Sequence, residues 1–343
     1  MLDDLKMIHE RDAQDALGVA AKQWQQLRQE YDVQVEASQE IRNVVLAGMG
    51  GSAFPGAFVQ TWPGLSVPFE TVRNYTLPRY VNGSTLVIVS SYSGNTEETL
   101  SALEDARTKG AQVVVVAAGG KLMEQAKAGG LPLFEIPGGI QPRMSSFYFI
   151  AAFVQLFIQL GLTDASAKDE LTATSDWLKS QPDNWLPEVP TANNTAKQIA
   201  QEMIGRSAVI YGGPLMAAAA QKWKICFNEN AKNVAWWNQY PEFNHNEFMG
   251  WTSHPVDKPY AVVDIRSNLE HERVQKRFVV TERLLSGKRP APIVVVPQGD
   301  SLPKQLFYSS MLGDFVSIYV ALLNGVNPTP VDLIEKFKAA LND

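Results

Sequence analysis

Short apolar runs alternate along the chain with longer stretches in which apolar residues recur at helical spacing. One run at 44–47 leads into Gly48-Met49-Gly50-Gly51-Ser52, and similar runs stand at 85–90 and 112–118. Apolar runs of about four to eight residues that end at turn residues predict buried parallel strands. Residues 96–109 have helical spacing, with Gly110 placed to end the helix. Strand, turn, helix, strand is the plan of βαβ units on a parallel sheet. A polar amphipathic helix is predicted over 3–30 and an apolar one over 145–161. The Pro- and Asn-rich stretch 180–194 predicts a linker. Beyond it, 208–211, 260–265 and 292–296 predict three more strands, with helices at 214–229, 268–286, 303–324 and 330–341. The second half repeats the plan of the first without repeating its sequence. The expectation is two doubly wound, flavodoxin-like α/β domains with parallel sheets. The first spans 1–160 with its N-terminal helix, 161–194 is a helix and linker, and 195–343 is the second.

Composition narrows the functional classes. The 343 residues carry 30 Lys+Arg against 36 Asp+Glu, with 45% hydrophobic and 19% charged residues. That is globular composition, which excludes a disordered or fibrous chain. A net charge of −6 gives no reason to expect nucleic acid as a partner. The single cysteine, Cys226, excludes an intrachain disulfide and a cysteine metal cluster, and reads as a buried helical residue. The N-terminus is charged from its third residue, unlike a signal peptide, and no unbroken run of about 18 apolar residues predicts a membrane span. A cytoplasmic protein is expected, in which the sequons at Asn74, Asn82 and Asn193 carry no meaning.

Two glycine- and hydroxyl-rich turns carry the candidate chemistry. Residues 48–53 match G-x-G-x-x-A after a strand, and Glu70 lies where an acidic ribose partner falls, so an NAD(P)-dependent dehydrogenase is one reading. It leaves the second turn unexplained. There, Ser91-Tyr92-Ser93-Gly94-Asn95-Thr96-Glu97-Glu98-Thr99 sets Ser91, Ser93 and Thr96 around the start of a helix. Hydroxyls beside the free N–H groups of a helix N-terminus make a cradle for one phosphate, and Ser52 can join from the neighbouring turn. The plainer reading is an N-cap followed by acidic residues that complement the helix dipole. Three hydroxyls with a glycine favour the phosphate.

The turn at 91–99 resembles the phosphosugar-binding loop of sugar isomerase (SIS) domains, and Gly50-Gly51-Ser52 resembles their first loop. In the second half, Asn228-Glu229-Asn230-Ala231-Lys232 and Pro241-Glu242-Phe243-Asn244-His245-Asn246-Glu247 are similar to the catalytic segments of the bifunctional phosphoglucose/phosphomannose isomerases. Pro328-Thr329-Pro330-Val331 before Lys338 resembles that family's C-terminus, so the resemblance covers nearly the whole chain.

The resemblance implies an aldose–ketose isomerisation through an enediol, which needs a phosphate anchor, a base for C1 and C2, a proton shuttle for the ring oxygen and charge stabilisation. No metal or redox cofactor is expected. Gly50, Gly51, Ser52, Ser91, Ser93 and Thr96 would hold the phosphate. A Glu at a helix end is ordinarily solvated surface, but Glu229 matches the family's base. The ring-opening group should titrate near neutrality, which favours histidine. His9 and His271 lie in charged helical stretches, leaving His245 with His254 as runner-up. By resemblance His245 is the family's histidine, and in related isomerases it comes from the neighbouring subunit, which implies a homodimer with shared active sites. Lys338 matches the family's C-terminal lysine, with Lys336 two residues away. Arg143 matches an arginine near the substrate, where a fixed cation would stabilise the enediolate; its plainer fate is a surface ion pair. Trp223, Trp236, Trp237 and Trp251 fit a core or an interface. The expected partner is a hexose 6-phosphate, with no nucleic acid and no membrane. A non-catalytic phosphosugar-binding SIS regulator stands as the alternative, since it needs the phosphate loops without Glu229 and His245.

Overall fold

A computed structural model describes residues 1–341, and the statements below concern those residues. The chain forms two compact units, one of Lys22–Lys179 and one that joins Met1–Ala21 to the chain from Ser180 onward. This differs from the expected boundaries. The single helix predicted over 3–30 is broken into α1 (Leu5–Arg11), α2 (Ala16–Ala21) and a 3-10 turn at Gln23–Arg28. Asp12 is the cause: its backbone closes α1, and its carboxylate accepts the N–H groups of Ala16 and Leu17 at 2.8 and 2.9 Å to open α2. The two helices belong with the far end of the chain. The Arg11 guanidinium donates to the Leu322 carbonyl, Asn327 donates to Gln14 at 2.8 Å, and Asp3 accepts from Thr191.

In the unit Lys22–Lys179, β1 (Asn43–Gly48) is followed by α3 (Gly50–Ala53), α4 (Pro55–Thr61) and β2 (Phe69–Val72). Then come β3 (Thr85–Ser91), α5 (Glu97–Thr108), β4 (Gln112–Ala117), α6 (Gly120–Ala128) and β5 (Leu133–Glu135). Two helices, α7 (Ser146–Gln159) and α8 (Ser166–Leu178), complete it. The sheet is parallel in the order β2-β1-β3-β4-β5. Every residue of β3 is buried, as a central strand covered on both faces requires. Val45, Val87, Val89 and Val115 pack with Leu103, Ala106 and Leu122 of α5 and α6. The strand residues between them point to the opposite face, by the two-residue period of a strand.

The second unit continues with α9 (Thr195–Met203), β6 (Ser207–Gly212), α10 (Ala217–Glu229), β7 (Ala235–Gln239) and α11 (Glu247–Gly250). It ends with β8 (Tyr260–Ile265), α12 (Glu272–Leu284), β9 (Ile293–Val295), α13 (Leu302–Leu323) and α14 (Asp332–Ala340). Its parallel sheet runs β7-β6-β8-β9. Helix α13 is long and apolar enough to cross a membrane by length and composition alone, but 89% of its most apolar window is buried. It is a core helix, and it carries Asp314, whose carboxylate lies 3.1 Å from the Lys222 ammonium of α10 with both side chains buried. Cys226, buried in α10 as expected, donates its thiol to Asp314 at 2.8 Å. The stretch 180–194 is not a free linker. Trp185 is buried against Tyr308 and Phe315, Asn194 caps α9, and the Lys197 ammonium donates to the carbonyls of Pro187 and Val189.

Candidate active site

In the unit Lys22–Lys179 the two candidate turns lie side by side at the carboxyl ends of β1 and β3, because these strands are adjacent and in register from Asn43↔Thr85 to Gly48↔Ser90. Ser52 accepts the Tyr92 N–H at 2.8 Å, and Ser90 donates to the Ser52 carbonyl at 3.0 Å. The hydroxyls of Ser91 and Thr96 are 3.0 Å apart, and Ser91 also accepts the Gly94 N–H. Thr96 is the N-cap residue of α5 but does not cap it with its side chain. Its hydroxyl is turned to Ser91 instead. Glu97 and Glu98 stand in the first turn of α5, where acidic side chains complement the helix dipole. Gly94 has a φ of +67°, and a Cβ there would overlap the Gly119 carbonyl, so the turn requires glycine.

Arg143 is buried, where arginine is ordinarily a surface residue. It is 1% exposed, in a 3-10 turn at Pro142–Met144, with one guanidinium nitrogen 3.4 Å from Gln141. The backbone of that turn abuts the glycine loop: a Cβ on Gly51 would stand 2.8 Å from the Pro142 carbonyl oxygen. Gly50, Gly51, Ser52, Ser91, Ser93 and Thr96 are thus one cluster, with the Arg143 backbone at its edge. Glu70 is not part of it. It pairs in register with Val45, three residues before the Gly48 turn, and is bound to the Tyr80 hydroxyl. A ribose partner belongs at the other end of that strand, so the dinucleotide reading fails.

In the second unit Glu229 is the last residue of α10 and is half-buried. Its carbonyl accepts the Lys232 ammonium at 2.9 Å, and the same ammonium donates to the carbonyls of Asn327 and Pro328 at 2.8 and 3.0 Å. The helix end is therefore tied to the segment that leads into α14. Lys338 stands on α14, exposed, 2.8 Å from Glu335; Lys336 is exposed too. No residue of α14 is buried, and Leu333, Phe337 and Leu341 are open to solvent.

His245 ends the 3-10 turn Glu242–His245 and is exposed. Its flanks are held from several sides. Asn244 donates to Thr281 at 3.0 Å and accepts from Arg277 at 3.2 Å, both on α12. Glu247 binds the Tyr211 hydroxyl and accepts from Asn238 at 2.7 Å. Below them the buried Arg289 guanidinium faces the rings of Tyr211, Phe243 and Trp251 at 5.5, 5.8 and 5.8 Å, with Asp264 at 3.9 Å. Burial pushes the Asp264 carboxyl up, and Arg289 and Arg266 oppose that shift. Sequence reasoning gave no role to Arg289, Asp264 or Tyr211, because a cage built from four separate segments leaves no local motif. His254 is exposed beside Ser253, His9 is exposed on α1, and His271 caps α12 through its Nδ1. Trp223 and Trp251 are core residues, whereas Trp236 and Trp237 are exposed on β7.

Residues 192–341 match the bacterial phospho-glucose isomerase C-terminal SIS domain. Over 308 residues the chain is 36% identical to a bifunctional phosphoglucose/phosphomannose isomerase of Caldicellulosiruptor bescii, covering 89% of this chain and 91% of that protein. It is 35% identical over 303 residues to the protein so named in Aquifex aeolicus, covering 88% and 90%. Among solved structures, a glucose-6-phosphate isomerase like protein from Thermus thermophilus shares the fold with a TM-score of 0.64 at 17% identity, over 98% of each chain.

Proposed function

The chain belongs to the bifunctional phosphoglucose/phosphomannose isomerase family and is an aldose–ketose isomerase of sugar phosphates, and from that premise we propose how its own residues carry the reaction. The substrate pair is fructose 6-phosphate with glucose 6-phosphate and mannose 6-phosphate. The phosphate is held by the amides of Gly50 and Gly51 and by Ser52, Ser91, Ser93 and Thr96. The observation that carries this reading is the convergence of the Ser91 and Thr96 hydroxyls with the N-terminus of α5. Glu229 is the base. It takes the proton from C2 of the aldose and returns it to C1, with the enediolate between, and runs the same transfer in reverse from the ketose. The two aldoses differ only at C2 and share that intermediate, so one carboxylate reaching C2 from either epimer serves both. Arg143 stabilises the enediolate as a fixed cation. His245 and Lys338 open the ring by moving a proton between the anomeric hydroxyl and the ring oxygen. No cofactor enters this scheme.

The working form is a homodimer in which His245 serves the partner's site. Supporting it are exposed apolar side chains near these residues in sequence: Leu333 and Phe337 on α14 and Trp236 on β7. We assign the protein to the cytoplasm. The test is a proton NMR time course of fructose 6-phosphate with wild type and Glu229→Gln. Wild type should yield both aldose phosphates. The variant should lose roughly a thousandfold or more in kcat, within or beyond the range of a lost general base, with KM nearly unchanged. Unchanged turnover in Glu229→Gln would remove the base assignment, and binding without turnover in wild type would favour a sugar-phosphate sensor.

A further inference from the structure

The two units carry their strand-end turns in the same order. Gly48 of β1 pairs with Ser90 of β3, as Gly212 of β6 pairs with Ile265 of β8. Six residues beyond each partner stands a helix N-cap, Thr96 in one case and His271 in the other. The turns at 213–216 and 266–271 therefore hold, in the second unit, the positions of the two phosphate turns of the first. What occupies the second pair is a side chain of the protein. The Glu270 carboxylate, 4% exposed, accepts the N–H groups of Leu215 and Met216 at 2.8 and 3.2 Å through one oxygen. The approach is close, since a Cβ on Gly213 would overlap this carboxyl group. The turn that presents Glu270 is anchored in its own right. Gln275 of α12 donates to the Glu270 carbonyl at 2.7 Å, and Gln305 of α13 donates to Asn268 at 2.7 Å.

The turn at 213–216 is the head of α10, and α10 ends at Glu229. Its 13 residues form a rod of about 20 Å, so the angle at its head sets the place of its last residue. We propose that Glu270 is a positioning residue for the isomerisation: an internal carboxylate that fills, in the second unit, the anion cradle that the first keeps for a ligand, and so fixes the turn from which α10 places Glu229. This rests on Glu229 being the base. It also gives the two halves different duties, because the filled cradle is closed to a second phosphate. Burial raises the Glu270 carboxyl to about 7, the two amides opposing the shift, as befits a group enclosed rather than solvated.

The test is steady-state kinetics on three full-length variants, with acetate as the probe. Glu270→Gly opens the cradle and should lower kcat roughly tenfold to a hundredfold, the scale of a misplaced catalytic group, with KM for fructose 6-phosphate nearly unchanged. Added acetate should restore part of kcat in that variant and none in wild type. Glu270→Gln keeps the accepting oxygen and should stay near wild type. Gly213→Ala displaces the carboxylate without deleting it and should lose kcat without rescue by acetate, which carries the test if Glu270→Gly does not fold. Wild-type kcat in both Glu270→Gly and Gly213→Ala overturns the proposal. So does an acetate-insensitive loss matched by an equal loss in Glu270→Gln. Glu229→Gln measured alongside separates the two claims. Turnover surviving there removes the base assignment, whereas turnover lost there and kept in the Glu270 and Gly213 variants removes the positioning role alone.

Discussion

Replacing Glu270 by glutamine should change how stability depends on pH, in a direction the structure dictates. The Glu270 carboxyl is raised from 4.5 to about 7, first by burial, with the amides of Leu215 and Met216 pulling the other way. Neighbouring charges are engaged elsewhere: His271 accepts the Arg273 N–H through Nδ1, and the Lys304 ammonium pairs with Asp300; Glu272 is exposed. The folded chain thus keeps this proton between about pH 4.5 and 7, where the unfolded chain has released it. The unfolded state binds fewer protons there, so stability falls as pH rises, by about 1.4 kcal/mol per pH unit. Over that window the total is roughly 3 kcal/mol, present in full below 4.5 and lost above 7. Glutamine accepts the same two amides and has no such dependence. All other titrations are common to both proteins and cancel in the difference. Urea unfolding at a series of pH values should therefore show Glu270→Gln gaining on wild type by roughly 3 kcal/mol from pH 4.5 to 7.5, then levelling. Five of the eight tryptophans, Trp185, Trp223, Trp236, Trp237 and Trp251, lie in the unit that holds Glu270, so tryptophan fluorescence includes its unfolding. A difference that stays constant with pH would refute the reasoning. One that runs the other way would mean that the carboxylate is the favoured buried form.

Other perturbations have equally definite outcomes. Ser91→Ala should raise KM for the sugar phosphate roughly tenfold or more, the scale of one hydrogen bond to a charged group, and move kcat less; equal loss in both would contradict a phosphate anchor. Lys222→Met leaves the Asp314 carboxylate buried without its cation and should cost about 3–5 kcal/mol, read as a fall in melting temperature. Adding Asp314→Leu should recover much of that loss. If His245 serves the partner's site, Glu229→Gln and His245→Ala dimers are each inactive, but remixing their subunits should restore about a quarter of wild-type activity through one intact site per heterodimer. No recovery on mixing would put both residues in the site of one subunit.

The two hydroxyl- and glycine-rich turns, and their adjacency, were legible because their residues are local. A βα turn writes its hydroxyls and glycines within nine consecutive residues, and the apolar runs before it register the two turns as neighbours. The central strands were legible for the same reason, since β1, β3, β6 and β8 are buried on both faces and read as continuous apolar runs. The edges were not. Phe69–Val72, Leu133–Glu135 and Ala235–Gln239 are short and partly exposed, so they lack the run that marks a strand. The N-terminal helix was misread because Asp12 looks like one more polar residue of an amphipathic face, when its carboxylate begins a new helix. Glu270 and Arg289 were invisible for a different reason. Each acts through groups distant in sequence, 55 residues back to Leu215 and more than 40 back to Phe243, and single-residue chemistry of that kind has no spacing rule.

The way the chain divides has a consequence for its synthesis. The unit Lys22–Lys179 is continuous and can complete its sheet as soon as its last helix is made. The other is discontinuous: its first 21 residues dock on α13, whose Leu322 receives Arg11. At about 5–20 residues per second, those opening helices wait on the order of 15–60 s for their partner. Ile8, Leu17 and Ala20, buried in the finished protein, stay uncovered for that interval. The intervening unit behaves as a guest inserted into a host that closes last, and a nascent chain released before residue 322 would hold a finished domain on an unfinished one.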